Sequence, residues 1–195
     1  MKYTVMIVGN GPSLLGSGLG NTIDSCDEVI RFNQFSLDPK HHADVGTRCT
    51  IWSTFQLREK TIPGLREIWS PTFACPGFNW ERRWEELCAM AKKLGCEIIR
   101  ISDDFAQTVS DQMGLVLPKK PTSGAVVIAH ALVVFSPARI LACGFDAFQG
   151  KQKHYWASRK VSEDRRLPKI TDVEAEKRFF NSLSEQGLVE FISHG

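Results

Sequence analysis

The chain has 195 residues, 43% of them hydrophobic, enough for one core, so a single domain over residues 1–195 is expected. Its 24 basic and 22 acidic residues are interspersed and give a net charge of +2, so nothing asks for nucleic acid as a partner. Six cysteines without a C-x-x-C pair argue against zinc; with no charged-then-apolar leader and no apolar run near the roughly 18 residues of a membrane span, the expectation is a cytoplasmic protein with free thiols.

In chain order, the apolar segment 3–8 predicts a buried strand that runs into Gly9-Asn10-Gly11-Pro12-Ser13-Leu14. Glycine at 9 and 11 lets backbone approach a ligand closely, Asn10 offers a donor and an acceptor, and Pro12-Ser13 is suited to open a helix whose N–H groups face a phosphate. Further strands are predicted at 28–32, 49–53, 66–69, 97–101, 138–143 and 188–192. Trp80, Trp84, Leu87, Cys88, Ala91 and Leu94 recur at spacings of three and four, which predicts a helix over 79–95 that stops at Gly95. A weaker helix is expected over 103–113. A third over 123–135 is apolar nearly all round and hence predicted to be buried. The last covers 171–186, with Thr171 or Asp172 as cap and Gly187 as stop. Buried strands alternating with helices predict an α/β, Rossmann-like domain with a mainly parallel sheet. Residues 149–170 have no clear period, and a connection of that length is expected to be a mobile active-site loop.

Four clusters carry chemistry. The first is the glycine turn, with Gly11 and Ser13 as candidate phosphate contacts; Leu14 stands where a dinucleotide fingerprint needs its third glycine, and no Gly-Lys-Ser/Thr follows for a P-loop. The second, Asn33-Gln34, follows the strand at 28–32, and ligands of open α/β sheets bind beyond the carboxyl ends of strands. The third is Thr122-Ser123-Gly124 at a helix start, either an anion site or an ordinary cap. The fourth is Gly144-Phe145-Asp146 at another strand end, followed by His154-Tyr155-Trp156. His154 beside aromatic residues in a basic loop is suited to hydrogen-bond a leaving phosphate or serve as general acid. No D-x-D or H-x-x-x-H pattern offers a divalent ion a site, so no metal and no cofactor is expected.

These residues resemble the sialyltransferases. Val8-Gly9-Asn10-Gly11 through Gly16-Ser17-Gly18, Ile23-Asp24, Arg31-Phe32-Asn33-Gln34 and Asp44-Val45-Gly46-Thr47-Arg48 resemble the long sialylmotif of the animal-type family. Pro121-Thr122-Ser123-Gly124 and Cys143-Gly144-Phe145 resemble the short sialylmotif, and His154-Tyr155-Trp156 the third motif. The Campylobacter-type bacterial enzymes are similar at the same places.

The resemblance implies a GT-A-variant fold that binds a CMP-activated sugar without metal and transfers it, with inversion, to a sugar or small-molecule acceptor. It implies Asn10 and Asn33 on the donor phosphate and ribose, and Thr122, Ser123 and Gly124 on the nucleotide or sugar carboxylate. Gly144 and Phe145 would shape the cytidine pocket, while His154 and Tyr155 would stabilise the departing phosphate. Two departures stand out. Val5 and Pro137 occupy the positions of the animal-type disulfide. In the fourth motif Glu176 matches, but Thr171 stands where the catalytic histidine is expected, and a threonine is no base at neutral pH. Asp172, backed by Glu174, is the candidate base, with His41 or His42 as alternatives. A cytidine-nucleotide hydrolase on the same fold is the competing reading, and a nucleotide-binding protein with a decayed site is a third.

Overall fold

The structure is a computed structural model that describes residues 2–58, 60–71, 79–146, 154–156 and 171–193. Seven strands form one sheet: β1 (Thr4–Val8), β2 (Glu28–Phe32), β3 (Ile51–Ser53), β4 (Glu67–Pro71), β5 (Glu97–Ile101), β6 (Arg139–Cys143) and β7 (Glu190–Phe191). All pairings are parallel, in the order β5-β4-β3-β2-β1-β6-β7. The chain steps outward from β1 to β5, then crosses back to place β6 on the other side of β1. Connectivity therefore reverses between β1 and β6, the place where open α/β sheets leave a crevice for ligands.

The helices are α1 (Gly20–Asp24), α2 (His42–Val45), α3 (Trp80–Leu94), α4 (Asp103–Gln112), α5 (Ser123–Val134) and α6 (Val173–Glu185). Alternation along β1 decides what each face receives. Val5 and Ile7 pack with α4, α5 and α6, whereas Met6 and Val8 pack with the α1–α2 side, and Trp52 and Ile68 meet α3 on that same side. Val5 to Val8 are at most 1% exposed, as an apolar run in a doubly covered parallel sheet requires. The Rossmann-like expectation is met. No helix among the described residues is long and apolar enough to cross a membrane.

The helix ends follow their sequence signals. Asn79 accepts the Arg82 N–H, Gly95 ends α3 in the left-handed region, Ser102 caps α4 and Thr122 caps α5. Two expectations fail. Pro12–Leu14 makes a single turn instead of opening a helix. The end of α5 is not buried, since Val133 is 67% and Val134 46% exposed.

The short α1 and α2, which no periodicity announced, are held by polar side chains. Asp24 accepts the N–H of Thr47 and Arg48 and the Thr47 hydroxyl, and Asp44 accepts the N–H of Gly16 (2.8 Å) and Gly18 (3.0 Å). Burial opposes the charge on Asp24, but these donors outweigh it and hold its carboxyl below the usual range; the Gly16 and Gly18 N–H groups do the same for Asp44. Motif residues that a sequence reader associates with function are thus occupied in tying the β1–β2 and β2–β3 connections together.

Candidate functional site

The glycine turn is built against the end of β6. The Gly9 N–H donates to the Cys143 carbonyl (2.8 Å) and the Gly11 N–H to the Gly144 carbonyl (2.9 Å). A Cβ on Gly9 would lie 2.2 Å from the Gly144 oxygen, and one on Gly11 would lie 2.4 Å from Asp146 Cγ. The close approach that requires glycine here is to the protein's own chain, which corrects the reading of both as room for a ligand. Asp146 completes the joint by accepting the Ser13 N–H (2.9 Å) and the Ser13 hydroxyl. A carboxylate of the protein therefore occupies the place proposed for a phosphate on Ser13.

Asn10 and Asn33 stand differently. Asn10 donates from Nδ2 to the Phe32 carbonyl (3.1 Å), and its Oδ1 is buried without a hydrogen-bond partner. Asn33 has φ 43°, a left-handed conformation that asparagine tolerates better than most residues. Its N–H donates to the Ser53 carbonyl (2.8 Å), and its own carbonyl accepts the Trp52 indole N–H (2.7 Å). Its Oδ1 is also buried without a partner. Such an atom costs roughly 1–3 kcal/mol unless a ligand or water satisfies it. Two of them stand at the carboxyl ends of adjacent strands. Gln34 is exposed and is not drawn into this pair.

The start of α5 reaches the same rim through Phe145. The Phe145 ring meets Phe32, the residue before Asn33, edge-on at 5.8 Å, and also Phe180 and Phe191; a Cβ on Gly124 would come within 2.9 Å of it. Phe145 is therefore a wedge that seats the α5 N-terminus beside β2. The Thr122 hydroxyl is spent twice, accepting the Ala125 N–H (3.2 Å) and donating to Glu176 Oε1. The N–H groups of Ser123 and Gly124, in the first turn, lie outside the helix's own ladder and carry its positive end.

Glu176 is 4% exposed and its Oε2 has no partner. Burial pushes its carboxyl above the usual range, against the opposing pull of the Thr122 bond. Asp172 caps α6, accepting the Ala175 N–H (2.9 Å) at Oδ1. Lys119 donates to the Thr171 carbonyl (2.7 Å). Of the alternative bases, His42 Nε2 is bonded to the Leu37 carbonyl (2.8 Å), and the His41 ring stands edge-on to Tyr155 at 5.5 Å.

Of the loop expected over 149–170, only 154–156 falls within the described residues. His154 stacks on Trp156, with centroids 5.0 Å apart. Tyr155, read as a phosphate contact, is 2% exposed, and its hydroxyl is bonded to Ser36 on both backbone groups.

Sequence reasoning missed Trp52 and Lys60, and took Arg31 only as part of a motif, with no role of its own. Arg31 is 1% exposed and donates to the Arg48 (2.8 Å) and Val45 carbonyls, with Nη1 unpartnered. Trp52 holds Asn33, and Lys60 donates to the Phe35 carbonyl (2.8 Å). Within an apolar strand, Trp52 carries only a core signal, so nothing in the pattern pointed to its indole N–H.

A parallel sheet with a reversal of strand order at β1/β6, an asparagine at each of two neighbouring strand ends and a helix N-terminus beside them give the doubly wound α/β class, with a crevice at the strand ends. Comparison with known proteins narrows the class. Residues 4–58 match the family model of glycosyltransferase family 29 (sialyltransferase). The mouse and rat proteins CMP-N-acetylneuraminate-beta-galactosamide-alpha-2,3-sialyltransferase 2 are each 22% identical over 203 residues, covering 94% of this chain. The chain spans about half the length of these relatives, 55% of each.

Two solved structures of a mammalian sialyltransferase, one in complex with Gal-beta-1-3GalNAc-ortho-nitrophenol, superpose with TM-scores of 0.73 (the complex) and 0.71. Both are 17% identical, and the match covers all of this chain and 70% of theirs. The chain thus has the sialyltransferase fold, and its resemblance to sialyltransferases extends from the long motif across nearly its whole length.

Proposed function

We propose that the protein is an inverting glycosyltransferase that takes its sugar from a CMP-activated donor, sialic acid or a related keto-sugar acid. The observation that carries this reading is the pair of buried, unpartnered Oδ1 atoms of Asn10 and Asn33, at the ends of β1 and β2 beside the α5 N-terminus. In this reading the α5 N-terminus at Ser123-Gly124 receives the anionic part of the donor, and the two asparagines fix its hydroxyl groups. His154, stacked on Trp156, donates to the leaving phosphate. Asp172 accepts the acceptor's proton, since capping engages only Oδ1 and leaves Oδ2 available. Gly11, Ser13, Gly144 and Asp146 form the frame of the site.

The same proposal takes the reaction to need no metal and the protein to be cytoplasmic. The second point is supported by Val5 and Pro137 at the disulfide positions and by free thiols at all five described cysteines.

The test is turnover of a CMP-sugar by the purified protein, with and without sugar acceptors and with and without a chelator. Release of CMP that rises with acceptor and survives chelation supports the proposal. Release that no acceptor raises points to hydrolysis. Binding of CMP without any release points to a nucleotide-binding protein.

A further inference from the structure

The segment from Asn33 to Leu37 is a loop whose backbone is fastened by side chains from other parts of the chain. The Asn33 carbonyl accepts from the Trp52 indole (2.7 Å), the Phe35 carbonyl from Lys60 Nζ (2.8 Å), the Ser36 carbonyl from the Tyr155 hydroxyl (2.7 Å), and the Leu37 carbonyl meets His42 Nε2 (2.8 Å). Three of these four side chains lie within 30 residues of the loop. Tyr155 comes from 119 residues away, and it does more than close one bond.

The Tyr155 hydroxyl also accepts the Ser36 N–H (3.0 Å), so both backbone groups of Ser36 are satisfied by one side chain. Its own N–H donates to the Asn10 carbonyl (3.0 Å). Among the described residues it is the one group that bonds both to the turn bearing Asn10 and to the loop bearing Asn33. Its ring is buried with Met6, Val8, Leu14 and Val45, which fixes where the hydroxyl can point. Burial pushes its hydroxyl above the usual tyrosine range, so it stays a neutral donor at any pH of interest.

We propose that Tyr155 is a positioning residue: it sets the separation of the Asn10 turn and the Asn33 loop, and acts on a bound nucleotide only through them. A small displacement of either asparagine is costly because ligand binding depends on both acceptors lying at hydrogen-bond distance together. The proposal rests on the reading of these asparagines as nucleotide contacts, but the fastening itself can be tested without a ligand.

The experiment uses Tyr155→Phe, which keeps the ring in its apolar site and removes only the hydroxyl. In the free protein, amide exchange across 33–37, above all at Ser36, is expected to accelerate about tenfold or more while exchange in β1 and α5 is unchanged. With CMP as the probe, affinity is expected to fall about tenfold, the equivalent of one hydrogen bond's misplacement. For cytidine, which keeps the ribose hydroxyls that the two Oδ1 atoms would accept from, the same loss is expected.

Unchanged exchange at Ser36 overturns the fastening. Faster exchange with unaltered CMP affinity overturns the positioning role. If the wild-type protein does not bind CMP, the nucleotide reading fails, and the exchange result still judges the fastening. Should Tyr155→Phe unfold, Lys60→Met provides the control: it releases the Phe35 carbonyl of the same loop without touching Asn10. CMP affinity is expected to stay near that of the wild type in Lys60→Met, and a loss of about tenfold there would overturn the special place given to Tyr155.

Discussion

Asp146, at the end of β6, accepts both the N–H and the hydroxyl of Ser13, 133 residues earlier in the chain. The two residues close the joint at which the strand order reverses, between β1 and β6. A carboxylate in that position makes the glycine turn complete without any ligand. Asp146→Ala should therefore lower stability by about 1.5–3 kcal/mol, the range for hydrogen bonds to a charged group. Urea unfolding of the free protein measures it. A stability unchanged by the substitution, with CMP affinity lost instead, would return Asp146 to the ligand site.

Asp172 separates a structural role from a chemical one. Asparagine caps a helix as well as aspartate does, whereas alanine does not, so Asp172→Asn should keep stability and Asp172→Ala should lose about 1 kcal/mol. If the carboxylate is also the base, transfer falls in both variants by about 100-fold or more. Full turnover by Asp172→Asn would leave the residue as a cap only.

Glu176 contributes a pH dependence whose sign follows from its burial. Its folded-state carboxyl titrates above the unfolded value of 4.5, so its stabilising contribution is full below that value and is lost as pH rises through the folded one. Glu176→Gln cannot ionise. Compared with this variant, the wild type should do best near about pH 4.5 and lose ground toward about pH 7.5. Unfolding free energies of the two at both pH values check it, and a constant difference would mean that the carboxyl titrates normally.

His130 acts in the opposite sense. Its ring lies edge-on between Trp69 (4.8 Å) and Phe105 (5.4 Å), and burial depresses its basicity although Glu67 works against that. The unfolded chain takes up the proton first, at 6.5, so stability should fall as pH drops below that value toward the folded one. His130→Leu should flatten this part of the profile, as read from thermal unfolding between about pH 5 and 7.

Much of this architecture was legible in the sequence. The seven strand signals fall on β1 to β7, and the four longer helices on α3 to α6, because apolar period and caps are local properties. The asparagines were legible too, since each follows an apolar run at a strand end. What escaped were roles fixed by distant partners. Whether Gly9 serves a ligand or the Gly144 carbonyl depends on β6 arriving beside β1. Whether Tyr155 reads a phosphate or fastens Ser36 depends on a contact across 119 residues. The exposure of Val133 has a similar origin, because an apolar helix reveals which side a sheet covers only once the layers are assembled.

The most direct test of the account is calorimetric titration of CMP, with UMP and AMP as comparisons, into the wild type and Asn33→Gly. Glycine keeps the left-handed backbone at φ 43° and removes only the side chain. Selective binding of CMP by the wild type, weakened about tenfold or more in Asn33→Gly at unchanged stability, is the predicted result. Failure of the wild type to bind CMP, or equal affinity in the two proteins, would contradict the assignment of the β1–β2 rim as the donor site.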